Sequence, residues 1–363
     1  LSALTLDLRC PGADGFVLAV SEQLSLAGIT AVFGASGSGK TTLLECIAGL
    51  RRAAPGSRIA FDGERWLDDH HHLPPWQRDI GYVFQDARLF PHLNVQNNLL
   101  FGQRRKRTTG SPTLEAVCDW LGLHALLHRA PDTLSAGQRQ RVSMGRALLA
   151  GPRLLLLDEP LANLDGDSRR QCLAALRHAI AASCIPALYV SHDAEEVSHL
   201  ADRLLILDAG RVAEHGAMLE LSSRIDSALA RDEQAAAIVR CTLAAHDSQF
   251  GLSELHCEGN RLWVNHLPGA VGTQHRLRIP ARDVSLCRER PEGTSILNIL
   301  PVQLDAIEPG DAPRLLVRLR VGEQHLLARI TRKSAAILQL KAGDRLFAQI
   351  KSTALLTETA EPA

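Results

Sequence analysis

Residues Ile29 to Thr42 read ITAVFGASGSGKTT: a mostly apolar run goes straight into GASGSGKTT, which fits GxxxxGK[ST]. Strand, glycine-rich loop and helix, in that order, is the context this motif needs. Glycines let a backbone fold around phosphate so that successive N–H groups point inward. The helix that follows adds the positive end of its dipole. In such a loop Lys40 reaches the β- and γ-phosphates, and the Thr41 hydroxyl is placed to ligate Mg2+. Gly34, Ala35, Ser36, Gly37, Ser38, Gly39 and Thr42 make up the rest of the expected nucleotide cradle.

Three more polar groups follow apolar runs. RLLLLDEP, Arg153 to Pro160, places two carboxylates where a buried strand ends. Ligands collect at the carboxyl ends of strands in open α/β sheets. Asp158 is therefore read as holding Mg2+ through water, and Glu159 as orienting and deprotonating an attacking water. His192, in YVSHD, is expected to contact the γ-phosphate and to steady Glu159. Gln85, in YVFQDARLF, is expected to reach Mg2+ and the water, and to report the nucleotide state to a bound partner. The segment LSAGQRQRV, Leu134 to Val142, looks like a serine-capped helix start next to glycine, which again suits an anion.

Composition sets outer limits. The 363 residues carry 40 Lys plus Arg and 40 Asp plus Glu, so the balance gives no general argument for nucleic acid or an anionic surface. No apolar run is long enough to span a bilayer. The first ten residues, LSALTLDLRC, carry Asp7 and Arg9 and do not read as a signal peptide, and the sequence starts without Met. The eight cysteines are scattered with no CxxC pair, which reads as reduced thiols and not as a disulfide frame. The triplet His70–His71–His72 beside Asp68 and Asp69 is either an exposed loop between strands or a metal site. The basic run Arg104 to Arg107 is either a solvated helical face or a contact for RNA or lipid headgroups.

Residues 1 to about 230 alternate strand-like runs (Ile29–Phe33, Leu154–Leu157, Ala187–Val190, Leu204–Leu207) with helical stretches, which argues a largely parallel sheet with helices on it. RDEQAAAIV, Arg231 to Val239, looks like a link. Beyond about 240 short alternating strands with Gly and Pro turns read as a small β-barrel. IPARDVSL, Ile279 to Leu286, resembles AQIKSTAL, Ala348 to Leu355, which suggests two similar β units unless the likeness is accidental.

Taken in order, GASGSGKTT, Gln85, LSAGQ, LLLLDEP, Leu164–Asp165 and His192 resemble the ATPase subunit of ABC transporters. The resemblance implies an α/β P-loop ATPase domain with a helical subdomain over residues 1–232. It implies that Ser135, Gly137 and Gln138 bind the γ-phosphate of an ATP held by the Lys40 loop of a second copy, so that a homodimer sandwiches two ATPs. It also implies catalytic roles for Glu159, His192, Gln85 and Lys40, with Mg2+ on Thr41, Gln85 and Asp158. Two departures stand out. Ala136 takes the place of the family's usual Gly, which is mild if its φ is negative. Phe16 is the only aromatic in reach of the position that stacks on adenine in the family.

FQDARLFPH, with TSILNIL (Thr294 to Leu300), ARITRKSAAILQL (Ala328 to Leu340) and AQIKS (Ala348 to Ser352), is similar to the molybdate-importer branch of that family and its C-terminal β domain. LWVN and IPARDVSL add to this. On this reading residues 233–290 hold a linker and a first β unit, and 291–356 an OB-like, all-β oxyanion-binding domain (Mop/TOBE-like). Backbone N–H groups, hydroxyls and a lysine suffice for a tetrahedral oxyanion, and Thr294, Ser295, Asn298, Lys351 and Ser352 supply such groups, unless the domain serves only to dimerise. The expected function is ATP hydrolysis driving molybdate import, or import of tungstate or sulfate. The expected partners are an integral membrane permease, which docks near Pro91 and His92, and a periplasmic oxyanion-binding protein. The expected place is the cytoplasmic face of the inner membrane, with no nucleic acid involved. A non-transport ATPase of this fold usually has two ATPase units or a long coiled coil, whereas one unit and no heptad run are present here.

Overall fold

The computed structural model describes residues 2–103, 112–231, 233–310, 312–352 and 356–359; the basic run Arg104 to Arg107 lies outside the described residues. The chain divides into two compact units, residues 1–216 and 217–363.

The first unit is built on one sheet. Its strands are β1 (Ser2–Pro11), β2 (Val17–Leu26), β3 (Ile29–Phe33), β4 (Arg58–Phe61), β5 (Glu64–Leu67), β6 (Ile80–Val83), β7 (Leu154–Asp158), β8 (Ala187–Ser191), β9 (Arg203–Asp208) and β10 (Arg211–Ala217). They lie in the order β5-β4-β1-β2-β10-β9-β3-β8-β7-β6. Neighbours from β9 to β6 pair in parallel, while β5, β4, β1 and β2 pair antiparallel. The helices are α1 (Lys40–Ala48), α2 (Val95–Gln103), α3 (Leu114–Leu121), α4 (Ala136–Leu149), α5 (Gly166–Ser183) and α6 (Ala194–Leu200).

The uninterrupted leucines of β7 follow from burial on both faces, as expected of a central parallel strand. Leu155 and Leu157 join the core formed with α3, α4 and α5, and Leu154 and Leu156 join the core formed with α1. Helix α4 passes close to α2 and α3 at Gly145, where an added Cβ would meet Leu99 at 2.7 Å and Val117 at 3.2 Å. The strand order has one consequence for chemistry. The carboxyl ends of β3, β8, β7 and β6 lie side by side, and the segments leaving them carry Lys40, His192, Asp158–Glu159 and Gln85.

The second unit opens with short helices α7 (Met218–Leu221) and α8 (Ala228–Arg231). The segment expected to be a link is in part a strand: Ala236 to Val239 begin β11 (Ala236–Asp247), and all four are buried. The run is apolar enough to be taken into the core. Nine more strands follow: β12 (Leu252–Cys257), β13 (Asn260–Asn265), β14 (Gln274–Pro280), β15 (Val284–Cys287), β16 (Asn298–Ile307), β17 (Arg314–Val321), β18 (Gln324–Thr331), β19 (Arg345–Ile350) and β20 (Leu356–Thr359), with α9 (Arg332–Ile337) after β18. They make two five-stranded sheets, β13-β12-β11-β14-β20 and β15-β19-β16-β17-β18, over a common core. Each sheet takes its last strand from the other half of the sequence. β15 follows β14 but pairs with β19, and β20 follows β19 but pairs with β14. The two similar octapeptides begin at those two crossings. The α/β unit followed by an all-β unit is the fold class the sequence predicts.

Candidate nucleotide site

The phosphate loop leaves β3 and enters α1. Gly37 and Gly39 have φ of 80° and 102°, and an added Cβ at Gly39 would come within 2.9 Å of Phe16. Phe16 thus lies against the loop, partly buried at a turn closed by a hydrogen bond from Gly12 N to Phe16 O. No side chain caps α1, so the N–H groups of its first turn remain directed at whatever fills the loop. Lys40 is buried, and its ammonium donates to the carbonyls of Gly34 and Ala35 at 2.8 and 2.9 Å. Burial lowers its pKa, against the opposing pull of Glu159 and Asp158.

Across the loop, Asp158 ends β7. Its Oδ1 accepts from Thr41 Oγ1 at 2.9 Å and its Oδ2 from Tyr82 OH at 3.2 Å. Burial raises the Asp158 pKa and these two hydrogen bonds pull it back. Glu159 takes a left-handed backbone, φ 42°, where the chain turns off the sheet. A non-glycine residue there costs on the order of 1 kcal/mol, a strain found at sites that must aim a side chain. Its N–H donates to Val190 O at 3.1 Å, and its Oε1 lies 3.1 Å from His192 Nδ1. Lys40, Thr41, Asp158, Glu159 and His192 therefore meet in one place, and Tyr82 joins them. Tyr82 was not singled out in the sequence; its signal was a hydroxyl-bearing aromatic on the strand that leads to Gln85.

Gln85 stands apart. It is exposed and lines a hollow with Asp86, Ala87, Ala136, Arg139, Gln140, Pro160, Asn163 and Leu164, which includes neither Thr41 nor Asp158. The LSAGQ segment forms its own structure. Ser135 caps α4: Gln138 N donates to Ser135 Oγ at 3.2 Å, and Ser135 N donates to Gln138 Oε1 at 3.0 Å. This is a capping box. Ala136 opens the helix and its φ is not positive, so the departure from Gly is the mild case. Gly137 is buried, and an added Cβ would meet Ser168 Cβ at 3.1 Å. Among the described residues no hydrogen bond joins Ser135–Gln138 to the loop Gly34–Thr42. The phosphate loop and the Ser135–Gln138 cap are thus separate hydrogen-bonded segments of one chain. Asp165 caps α5 through hydrogen bonds from Asp167 N and Ser168 N at 3.1 and 2.9 Å.

In the second unit Thr294, Ser295 and Lys351 are exposed and Ser352 is half-buried. Asn298 is buried with its amide engaged: Trp263 N donates to Oδ1 at 2.6 Å, while Nδ2 donates to Trp263 O at 2.9 Å and Ser352 Oγ at 3.2 Å. His70, His71 and His72 are exposed in the stretch after β5, where Asp68 Oδ1 accepts from the N–H groups of His70 and His71. Among the described residues no group of three or more His, Cys, Asp or Glu side chains is arranged to hold a metal. All eight cysteines are free, and only Cys184 is fully exposed.

Residues 18–162 match the family described as ABC transporter, and residues 294–356 match the TOBE domain. The molybdenum import ATP-binding protein ModC of Methylococcus capsulatus is 46% identical over 343 residues, covering 94% of this chain and 96% of that protein. Proteins of the same name from Rhodopseudomonas palustris and Pseudomonas aeruginosa are each 46% identical, over 351 and 348 residues; they cover 95% and 94% of this chain and are themselves covered to 93% and 96%. Among solved structures, CbiO1 from Clostridium perfringens, part of the ABC transporter complex CbiONQ, superposes with a TM-score of 0.52 at 25% identity, over 60% of this chain and 89% of that one. Fold and site define an ATPase of the ABC class, followed along the chain by a TOBE domain. Within that class the chain belongs to the family of the molybdenum import ATP-binding proteins.

Proposed function

We propose that this chain is the ATP-hydrolysing, energy-coupling subunit of a complex that imports molybdate. The observation that carries the chemistry is the convergence of Lys40, Thr41, Asp158, Glu159 and His192 at adjacent strand ends, with Ser135–Gln138 closed in a capping box of its own. A single chain so built cradles one ATP and offers a second anion-facing surface to an ATP on another copy. A symmetric homodimer uses both.

In the reaction, N–H groups of the loop and of the first turn of α1 hold the phosphates, and Lys40 balances charge on the β- and γ-phosphates. Glu159 takes a proton from the attacking water, and His192 holds that carboxylate in place from 3.1 Å. A hydroxyl and a carboxylate 2.9 Å apart are the hard oxygen donors that Mg2+ takes. Thr41 directly, and Asp158 through water, would hold the ion, which would supply charge neutralisation at the β- and γ-phosphates. Gln85 is read as a further oxygen donor to that set, and its loop as the part that carries the nucleotide state to the permease near Pro91 and His92.

No helix among the described residues is long and apolar enough to cross a membrane. The subunit is read as working at the cytoplasmic face of the inner membrane, on an integral permease fed by a periplasmic oxyanion-binding protein. Thr294, Ser295, Asn298, Lys351 and Ser352 are read as an internal oxyanion sensor, which would slow import through a modest coupling free energy. Mg2+-dependent ATP turnover by the purified chain, and its loss in Glu159→Gln, tests the ATPase reading. Reconstituted uptake with tungstate and sulfate as competitors tests the cargo. Calorimetric titration with molybdate, with sulfate as control, tests the sensor: heat with neither anion overturns it.

A further inference from the structure

Helices α5 and α6 and strand β8 share a polar cluster, buried at Glu196, Tyr189 and Ser191 and partly exposed at Arg169 and Asp193. Glu196, on α6, is 5% exposed. Its Oε2 accepts from Tyr189 OH at 2.7 Å and Ser191 Oγ at 2.8 Å, both from β8. Its Oε1 lies 3.5 Å from Nε of Arg169, on α5. The same guanidinium donates Nη1–H to Asp193 Oδ2 and Nη2–H to Leu164 O, each at 3.3 Å. Asp193 N in turn donates to Ser191 Oγ at 3.0 Å, and Asp193 caps α6.

One planar cation therefore touches two loops at once. Leu164 precedes Asp165, the cap of α5, and Leu164 also lines the hollow shared with Gln85 and Ala136. Asp193 follows His192, whose ring contacts Glu159. His192 is more than half exposed, and among the described residues its ring hydrogen-bonds to Glu159 alone. The ring's position is thus set mainly by its backbone. That backbone is fixed from behind by Ser191, Asp193 and the Arg169–Glu196 pair. A guanidinium suits this place because its five donors form a rigid fork, which a lysine cannot reproduce. Burial and the neighbouring Glu196 hold the Tyr189 phenol well above its usual pKa, so it stays a donor.

We infer that Arg169 and Glu196 are a positioning pair that ties the His192 turn to the Leu164–Asp165 loop and so sets how His192 meets Glu159. The pair acts through His192. It couples the chain's own hydrolytic centre to the loop that borders its second anion-facing surface. The inference rests on the ATPase reading above.

The test uses the purified full chain and steady-state ATP hydrolysis, with nucleotide affinity measured separately by a fluorescent ATP analogue. Glu196→Gln keeps the shape and the Tyr189 and Ser191 contacts but removes the charge. Arg169→Ala removes the fork. Both are expected to lower kcat about 10- to 100-fold, the scale of a misplaced catalytic group, while KM and analogue affinity stay within about threefold. Millimolar guanidinium is expected to restore Arg169→Ala at least in part, and Arg169→Lys to restore it poorly. Wild-type kcat in both variants overturns the inference. So does a fall in kcat matched by an equal loss of analogue binding and unanswered by guanidinium, since that pattern marks general unfolding. If the wild-type chain itself fails to hydrolyse ATP, the ATPase reading falls and the pair falls with it.

Discussion

Thr41 and Tyr82 divide the Asp158 carboxylate between them, Thr41 Oγ1 on Oδ1 at 2.9 Å and Tyr82 OH on Oδ2 at 3.2 Å. Each oxygen of a buried acid thus has a donor, one from the phosphate-loop helix and one from the strand leading to Gln85. Tyr82→Phe strips one oxygen of its donor at nearly constant volume. An unsatisfied buried acceptor costs about 1–3 kcal/mol. The expected result is a lower urea midpoint for the first unit and a higher Mg2+ requirement for turnover. Unchanged values of both would show that Tyr82 leaves Asp158 indifferent.

Glu159 combines a chemical role with a strained backbone, φ 42°. The two separate by substitution. Glu159→Gln keeps the strain and loses the base; turnover is expected to fall about 10²- to 10⁴-fold with ATP still bound. Glu159→Gly loses the base and relieves the strain, which is worth on the order of 1 kcal/mol of stability. An inactive but more stable Gly variant is the expected outcome of paired turnover and urea experiments. A Gly variant less stable than Gln would place the strain elsewhere.

The parts of this site that a linear reading finds are those attached to local signals. Lys40 and His192 each come after a strand of five buried residues, Asp158 ends another, and Ser135 shows the spacing of a capping box in its own sequence. What escapes is set by sheet order. β6 pairs with β7, so Tyr82 reaches Asp158 across 76 residues of sequence, whereas the contact of His192 with Glu159 is legible from the order of the motifs. No periodicity encodes the reach of Tyr82. The strand exchange in the second unit is hidden for the same reason: β15 and β20 carry no mark of which sheet they will join. Ala236 to Val239 escape because a short apolar run after a polar stretch gives no period until a partner strand buries it.

Arg78 holds the far end of the phosphate-loop helix. It is 1% exposed and donates to Ile47 O at 2.7 Å, Leu73 O at 2.8 Å, Cys46 O at 3.0 Å and Trp66 O at 3.4 Å. Burial brings its pKa down to about 10, so it stays charged at neutral pH. The carbonyls of Cys46 and Ile47 lie in the last turn of α1, where a cation is favourable. Arg78→Met fills much of the volume but leaves those acceptors bare. A loss of about 3 kcal/mol is expected from denaturant unfolding, with ATP affinity falling only as far as the helix frays. A midpoint equal to wild type would mean that other groups cap the helix.

Asn298 belongs to the expected oxyanion set, yet its amide does the work of a strand neighbour. It both accepts from and donates to the backbone of Trp263, on the edge strand β13, and joins Ser352 as well. Both amide hydrogens are committed, so Asn298 gains a bond to an anion only by giving one up. Lys351 is exposed and makes no such demand. The two residues should therefore part under mutation. Asn298→Ala is expected to lower the stability of the second unit by about 1–3 kcal/mol, the cost of leaving buried backbone groups unpaired. Lys351→Ala is expected to leave stability within about 0.5 kcal/mol of wild type, as for an exposed side chain, and to weaken molybdate in calorimetric titration. Should Asn298→Ala abolish molybdate heat at unchanged stability, Asn298 would be a ligand first and a clamp second, and the anion would have to enter beside Trp263.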